Sequence, residues 1–197
     1  MKKYLIVTAI LIAFGLESKA QFNLGLKGGL NYSTVKADIN TISEKGILGY
    51  QFGAWARIGK GFYLQPEVYL GSKGGKFDFD QTSTSAAASG DVRFTSLDVP
   101  LLLGKSFGVS KLNFRLMAGP IYSYILDQNK SLSDNINAGY HDFGNYKNST
   151  IGLQGGAGVD VGNLAFDLRY EGGLSKINSD FGQRQNLFHL SVGYKLF

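Results

Sequence analysis

The chain has 197 residues, with 20 basic and 15 acidic side chains and no cysteine. That length suits one domain, and the missing thiols exclude disulfides, thiolate metal sites and a lipidated N-terminal cysteine. The formal charge of +5 falls to about +3 without residues 1–20, which hold Lys2, Lys3, Lys19 and Glu17, so it argues little for nucleic acid.

Met1-Lys2-Lys3-Tyr4 gives a positive start, Leu5 to Leu16 an apolar core, and Ser18-Lys19-Ala20 small residues ahead of Gln21. Residues 1–20 therefore read as a signal peptide, whose apolar stretch is too short to span a bilayer as a stable helix. Residues 21–197 form the remaining domain, and no segment of it reaches the roughly 20 apolar residues of a spanning helix. It is rich in glycine (27 in the chain) and in aromatics (14 Phe, 11 Tyr and 1 Trp). Glycine lets strands bend, and aromatic rings anchor at lipid interfaces.

Period-two alternation predicts eight strands. In 21–33, Phe22, Leu24, Leu26, Leu30 and Tyr32 oppose Asn23, Lys27 and Asn31. In 47–58, Leu48, Tyr50, Phe52, Ala54 and Ala56 oppose Gln51, Trp55 and Arg57. In 62–76, Phe62, Leu64, Val68 and Leu70 oppose Gln65, Glu67 and Lys73. In 93–106, Leu97, Val99, Leu101 and Leu103 oppose Ser96 and Asp98.

The fifth, 111–126, sets Leu112, Phe114, Leu116, Tyr122 and Tyr124 against Asn113, Arg115 and Ser123. In 150–161, Ile151, Leu153, Val159 and Val161 oppose Gln154 and Asp160. In 164–175, Leu164, Phe166, Leu168 and Tyr170 face away from Asp167, Arg169 and Glu171. The last, 186–197, puts Phe188, Leu190, Val192, Tyr194 and Leu196 opposite His189, Ser191, Gly193 and Lys195.

Tight turns at Gly59-Lys60-Gly61, Phe107-Gly108-Val109-Ser110 and Gly162-Asn163 alternate with longer polar stretches at 34–46, 77–92, 127–149 and 176–185. Short and long connections alternate in outer-membrane barrels, with the short turns and both termini in the periplasm. The expected fold is thus all-β: an eight-stranded antiparallel up-and-down transmembrane β-barrel. Pro66, Pro100 and Pro120 fall inside strands, where proline cannot donate to the ladder, so a bulge or local break is expected at each.

A soluble lipocalin-like barrel would put the apolar face inside. Here the polar face carries Arg57, Glu67, Asp98, Arg115, Asp160, Asp167, Arg169 and Glu171, mostly mid-strand. An eight-stranded interior is wide enough only for side chains, where such acids and arginines pair and hydrogen-bond each other. That favours apolar-out, facing outer-membrane lipid, with the eight charged residues as a structural interior network and no open channel.

Leu64-Gln65-Pro66-Glu67-Val68-Tyr69-Leu70, Leu97 to Leu103, Gly119 to Tyr124, Gly152 to Val159 and Arg169 to Ser175 resemble, in matching order, segments of PorT-like outer-membrane β-barrel proteins. The resemblance implies an eight-stranded outer-membrane barrel; the founding member is linked to protein export by the type IX secretion system, most relatives have no assigned activity, and a secretion role is not carried over to this chain.

Other patterns carry little. Gly104-Lys105-Ser106 mimics the end of a phosphate-binding loop, but Val99 stands where its first glycine belongs and a strand surrounds it. Gly152, Gly155, Gly156 and Gly158 match a dinucleotide fingerprint only loosely and read as small residues that let strands approach. His141 and His189 lack metal-ligand spacing, and His189 with Ser191 and an inward acid is the one conceivable catalytic grouping.

The sequence therefore leads to a small, monomeric, non-enzymatic barrel of a Gram-negative outer membrane, with no cofactor. Its role would be structural or interactive, through outside loops that contact an envelope or extracellular protein. Loop 127–149, with Tyr140, His141, Phe143 and Tyr146, is the candidate contact segment. A secretion or solute-transport component is the alternative.

Overall fold

The computed structural model describes residues 21–36, 42–79, 88–109, 111–132, 148–176 and 184–197. The eight strands are β1 (Phe22–Lys36), β2 (Ile42–Gly59), β3 (Phe62–Phe79), β4 (Ala88–Val109), β5 (Leu112–Leu132), β6 (Ser149–Val161), β7 (Leu164–Gly173) and β8 (Arg184–Lys195). Each pairs antiparallel with its sequence neighbour, and β8 returns to β1 to close the barrel. Where all eight strands run side by side, closure leaves no strand edge unpaired, which is what lets a sheet cross a bilayer. The signal peptide expected over residues 1–20 lies outside the described residues.

Strand parity sorts the side chains into two populations. Leu, Phe, Val and Tyr stand outward and exposed on all eight strands, including Leu48, Leu103, Phe114, Leu168 and Leu190. The opposite positions are buried and largely polar. An exposed apolar surface of this extent is a lipid-facing one. Most outward phenylalanines lie toward the tight turns (Phe22, Phe62, Phe107, Phe114, Phe166) and most outward tyrosines toward the long connections (Tyr32, Tyr50, Tyr122, Tyr124, Tyr170), with Phe52, Phe188 and Tyr194 as exceptions. From Phe114 to Tyr124 along β5 is about 33 Å of strand. At a tilt near 40° that spans about 25 Å, the height of an apolar band between aromatic girdles.

The tight turns rest on glycine: Gly59, Gly108 and Gly162 have φ of 122°, 139° and 62°, which L side chains rarely adopt.

Several stretches read as loops are strand. β1 runs on to Lys36, β2 begins at Ile42, β3 reaches Phe79, β4 begins at Ala88 and β5 reaches Leu132. The pairs Ile42↔Phe79, Phe79↔Ala88 and Gly90↔Leu132 carry the β2–β5 wall well past the tyrosine girdle. A wall above the membrane needs no apolar outer face, so the ladder continues where the alternation has faded.

The prolines cause no bulge. Pairs lapse on one side of each: between Trp55↔Glu67 and Ile58↔Leu64 at Pro66, between Pro66↔Leu101 and Tyr69↔Asp98 at Pro100, and between Pro100↔Ile121 and Leu103↔Ala118 at Pro120. The register is the same before and after every lapse, and on its other side each proline pairs normally, Pro120 with Leu153 for example. The register shifts lie elsewhere, between Gly46 and Gln51 and between Thr95 and Ser96.

Candidate functional site

The lumen is the only place where the described residues concentrate charge away from water. Its interior positions are fixed by strand parity, and large side chains are accommodated by small ones opposite. The Tyr63 ring lies over Gly104, and Trp55 over Gly25, leaving no room for a Cβ at either glycine. The Trp55 indole donates to the Leu26 carbonyl at 3.3 Å.

Arg169 on β7 forks onto Glu67 on β3, its two terminal nitrogens donating at 2.9 and 2.8 Å. Glu67 also accepts from Lys27 on β1 at 2.7 Å and from the Gln65 amide at 2.6 Å. The same guanidinium donates to Asp167 at 2.6 Å and to Gln154 at 3.2 Å. Asp167 in turn accepts from Arg115 on β5 at 2.6 Å. Arg115 and Arg169 are only 1% and 2% exposed, so these contacts replace their hydration. Buried charges of this kind persist only when paired.

Toward the tight turns, Asp160 joins Arg57 at 2.8 Å and Arg115 at 2.9 Å. Arg57 lies between the Trp55 and Tyr63 rings, 4.8 and 5.0 Å from their centroids. Toward the long connections, Lys73 donates to Asp98 at 2.8 Å and to Ser123 at 2.9 Å, with Glu171 at 3.7 Å. Glu171 also meets His189 Nε2 at 3.1 Å, while His189 Nδ1 faces Gln51 at 3.1 Å. Both ring nitrogens are thus engaged without Ser191, and the grouping that a hydrolytic reading requires is not assembled.

All eight charged residues singled out in the sequence, Arg57, Glu67, Asp98, Arg115, Asp160, Asp167, Arg169 and Glu171, belong to one network, whose two ion-paired groups are joined by Gln154, accepting from Arg169 and donating to Glu171 at 3.3 Å. Two members were left out: Lys27 and Lys73. The signal was available, because the eight alone sum to −2, and an interior closed to water calls for two more cations of the same parity. With them the interior holds five bases and five acids. Tyr140, His141, Phe143 and Tyr146 lie outside the described residues.

The two ends of the lumen differ. At the tight-turn end a vestibule of about 740 Å³ opens between the strand ends, lined by Asn23, Trp55, Arg57, Asn113, Asp160 and Lys195. At the opposite end Val35, Ile47, Val92, Phe94, Ile125 and Leu187 are buried together in place of ions. The interior is therefore an ionic layer with an apolar plug above it and a wet antechamber below. Among the described residues no group of side chains could hold a metal ion.

The fold is similar to that of solved outer-membrane barrels. OprG from Pseudomonas aeruginosa matches with a TM-score of 0.52 at 16% identity, over 88% of this chain and 95% of that one. The attachment invasion locus protein Ail of Yersinia pestis gives 0.47 at 14% identity, over 89% and 99%. The outer membrane enzyme PagL gives 0.46 at 11% identity, over 88% and 99%. Identities this low speak to fold alone. No curated protein sequence matches the chain. A family model described as an outer membrane protein beta-barrel domain matches residues 17–179, and with the closed eight-strand barrel and its lipid-facing wall, this places the chain in that family and in the cell outer membrane.

Proposed function

We propose that the protein is a non-enzymatic, monomeric outer-membrane barrel that is shut to solutes and acts as a structural or docking element. In this reading the tight turns and both termini face the periplasm and the β2–β5 wall faces outward. The observation that carries it is the filled lumen: an ion-paired layer crossed by Arg169–Glu67 and capped by Val92, Phe94 and Leu187. A filled lumen suits neither solute passage nor a substrate cleft. Pure protein reconstituted in a planar bilayer should give a flat current trace, and stable, reproducible conductance steps would overturn the proposal.

A component of envelope secretion, the role linked to the founding member of the PorT-like proteins, is the second reading. It is favoured by the projecting β2–β5 wall, since β3 runs nine residues past Leu70, about 30 Å of strand. Such a wall offers an envelope or extracellular protein a rigid surface, and loops on such a scaffold carry binding. Deleting residues 134–146, which leaves β5 intact, should abolish any partner captured by cross-linking while the barrel stays heat-modifiable on a gel. A partner retained by that deletion would move the docking surface elsewhere.

A further inference from the structure

We propose that the outer wall beside Lys105 binds one phospholipid with an anionic headgroup, its phosphate at the Lys105 ammonium and an acyl chain in the groove over Ala118 and Gly155. This rests on the orientation proposed above, which puts the tight turns in the phospholipid leaflet of the outer membrane.

Two independent features meet at this place. The first is charge. Among the described residues, Lys105 is the one charged side chain on the outer face between the turn-side phenylalanines and the loop-side tyrosines. It lies four residues from the end of β4, at the depth where an interface begins. Its ammonium stands 4.9 Å from the Phe62 ring centroid and 5.1 Å from that of Phe107. The rings hold the cation in place without neutralising it, and no carboxylate in the described structure does so. A fixed ammonium at the headgroup level selects a phosphate.

The second feature is shape. Most of the outer wall is surfaced by large Leu, Phe, Val and Tyr side chains, with Gly28, Ala54 and Ala56 as small positions on β1 and β2; next to Lys105, Ala118 pairs with Gly155 and the neighbouring pair is Leu116 with Ala157. These small residues leave a groove of about 850 Å³ that begins at Lys105 and Phe62 and runs between Leu64, Leu103 and Leu116. It opens sideways toward hydrocarbon and is continuous with the cation, so a lipid spans both. A second copy of the chain is the poorer occupant: a two-fold contact here would bring two Lys105 ammoniums to one dry interface.

The test uses the mature chain in detergent micelles, with added phosphatidylglycerol or phosphatidylcholine of identical acyl chains, and native mass spectrometry to read the retained lipid. The wild type should retain phosphatidylglycerol in preference. Lys105→Gln should lower that retention about fivefold and lower phosphatidylcholine, whose choline already offsets its phosphate, by less, so that the preference between the two is lost, whereas Ala118→Leu should lower both. Gly155→Ala is the milder groove variant, its new methyl in ordinary contact 3.6 Å from Ala118, and heat-modifiability verifies that each barrel is folded. Equal retention of the two lipids by the wild type, variants that retain phosphatidylglycerol as it does, or a dimer dissolved by Ala118→Leu would overturn the proposal. Micelles have no leaflets, so a barrel inserted the other way round would fail a cysteine-accessibility assay of its turns while this lipid preference stood.

Discussion

Arg169 and Glu67 lie 102 positions apart and on opposite walls of the barrel, yet they meet in a two-pronged charged contact at 2.9 and 2.8 Å. The planar guanidinium matches a carboxylate in this geometry as a lysine could not. Glu67 thereby serves two cations from two different strands, Arg169 and Lys27.

Removing one partner of this pair should be costly. Glu67→Gln leaves Lys27 and Arg169 short of counter-charge in a dry interior, and the expected loss is about 3–5 kcal/mol. Adding Lys27→Met restores neutrality, so the double variant should recover part of that loss. Urea unfolding in lipid vesicles, arranged as a double-mutant cycle, measures the coupling. Strictly additive losses would mean that the two residues act independently.

Depth along the outer face should set the cost of a charge. Leu168→Arg, well inside the apolar band, is expected to cost about 2–4 kcal/mol, whereas Leu112→Arg at the turn-side rim should cost about 0–1 kcal/mol. The check is the folded fraction of each variant in vesicles. Equal costs would contradict the band as placed by the two girdles.

Trp55 is the chain's single tryptophan and points inward, 4% exposed. Brominated lipids should therefore quench its fluorescence weakly. A tryptophan introduced by Leu116→Trp in a Trp55→Phe background should be quenched strongly. The reverse order would invert the assignment of faces.

Glycines should divide by what faces them. Gly104→Val would drive its side chain into the Tyr63 ring, and overpacking of this kind costs about 1–3 kcal/mol. Pairing it with Tyr63→Leu should restore stability in the same unfolding assay. Gly61→Val, which meets nothing within 4 Å, should unfold like the wild type.

How much of this was legible in the sequence depends on where lipid acts. Strand parity alone puts Arg57, Arg115 and Arg169 on the face opposite Leu112, Phe114 and Leu168, because the side-chain period of a strand is two. Which ions meet is another matter: Arg57 and Asp160 are 103 positions apart, and only barrel closure makes them neighbours. Lys27 and Lys73 were on the polar face in plain view. Lysine usually keeps its head in water, so only the charge sum argued for burying them. The last residues of β3, Phe77 to Phe79, lay beyond the predicted strand of 62–76 for a different reason. Gly71 to Phe79 mixes Ser72, Lys73, Gly74, Gly75, Lys76 and Asp78, and a strand past the hydrocarbon has no call for an oily side. The ladder persists there while its signature is gone.

The even count of bases and acids inside has a consequence for how the barrel is built. Taken alone, β1 to β4 would bring Lys27, Arg57 and Lys73 against Glu67 and Asp98, an excess of one positive charge. β5 to β8 would bring Arg115 and Arg169 against Asp160, Asp167 and Glu171, an excess of one negative charge. The contacts that cancel them, Arg57–Asp160, Glu67–Arg169 and Lys73–Glu171, all run between the two halves. A half-assembled sheet in the bilayer would hold those groups without partners, at several kcal/mol per ion. Insertion is thereby made an all-or-none event, in which β6 and β7 arrive to neutralise β2 and β3.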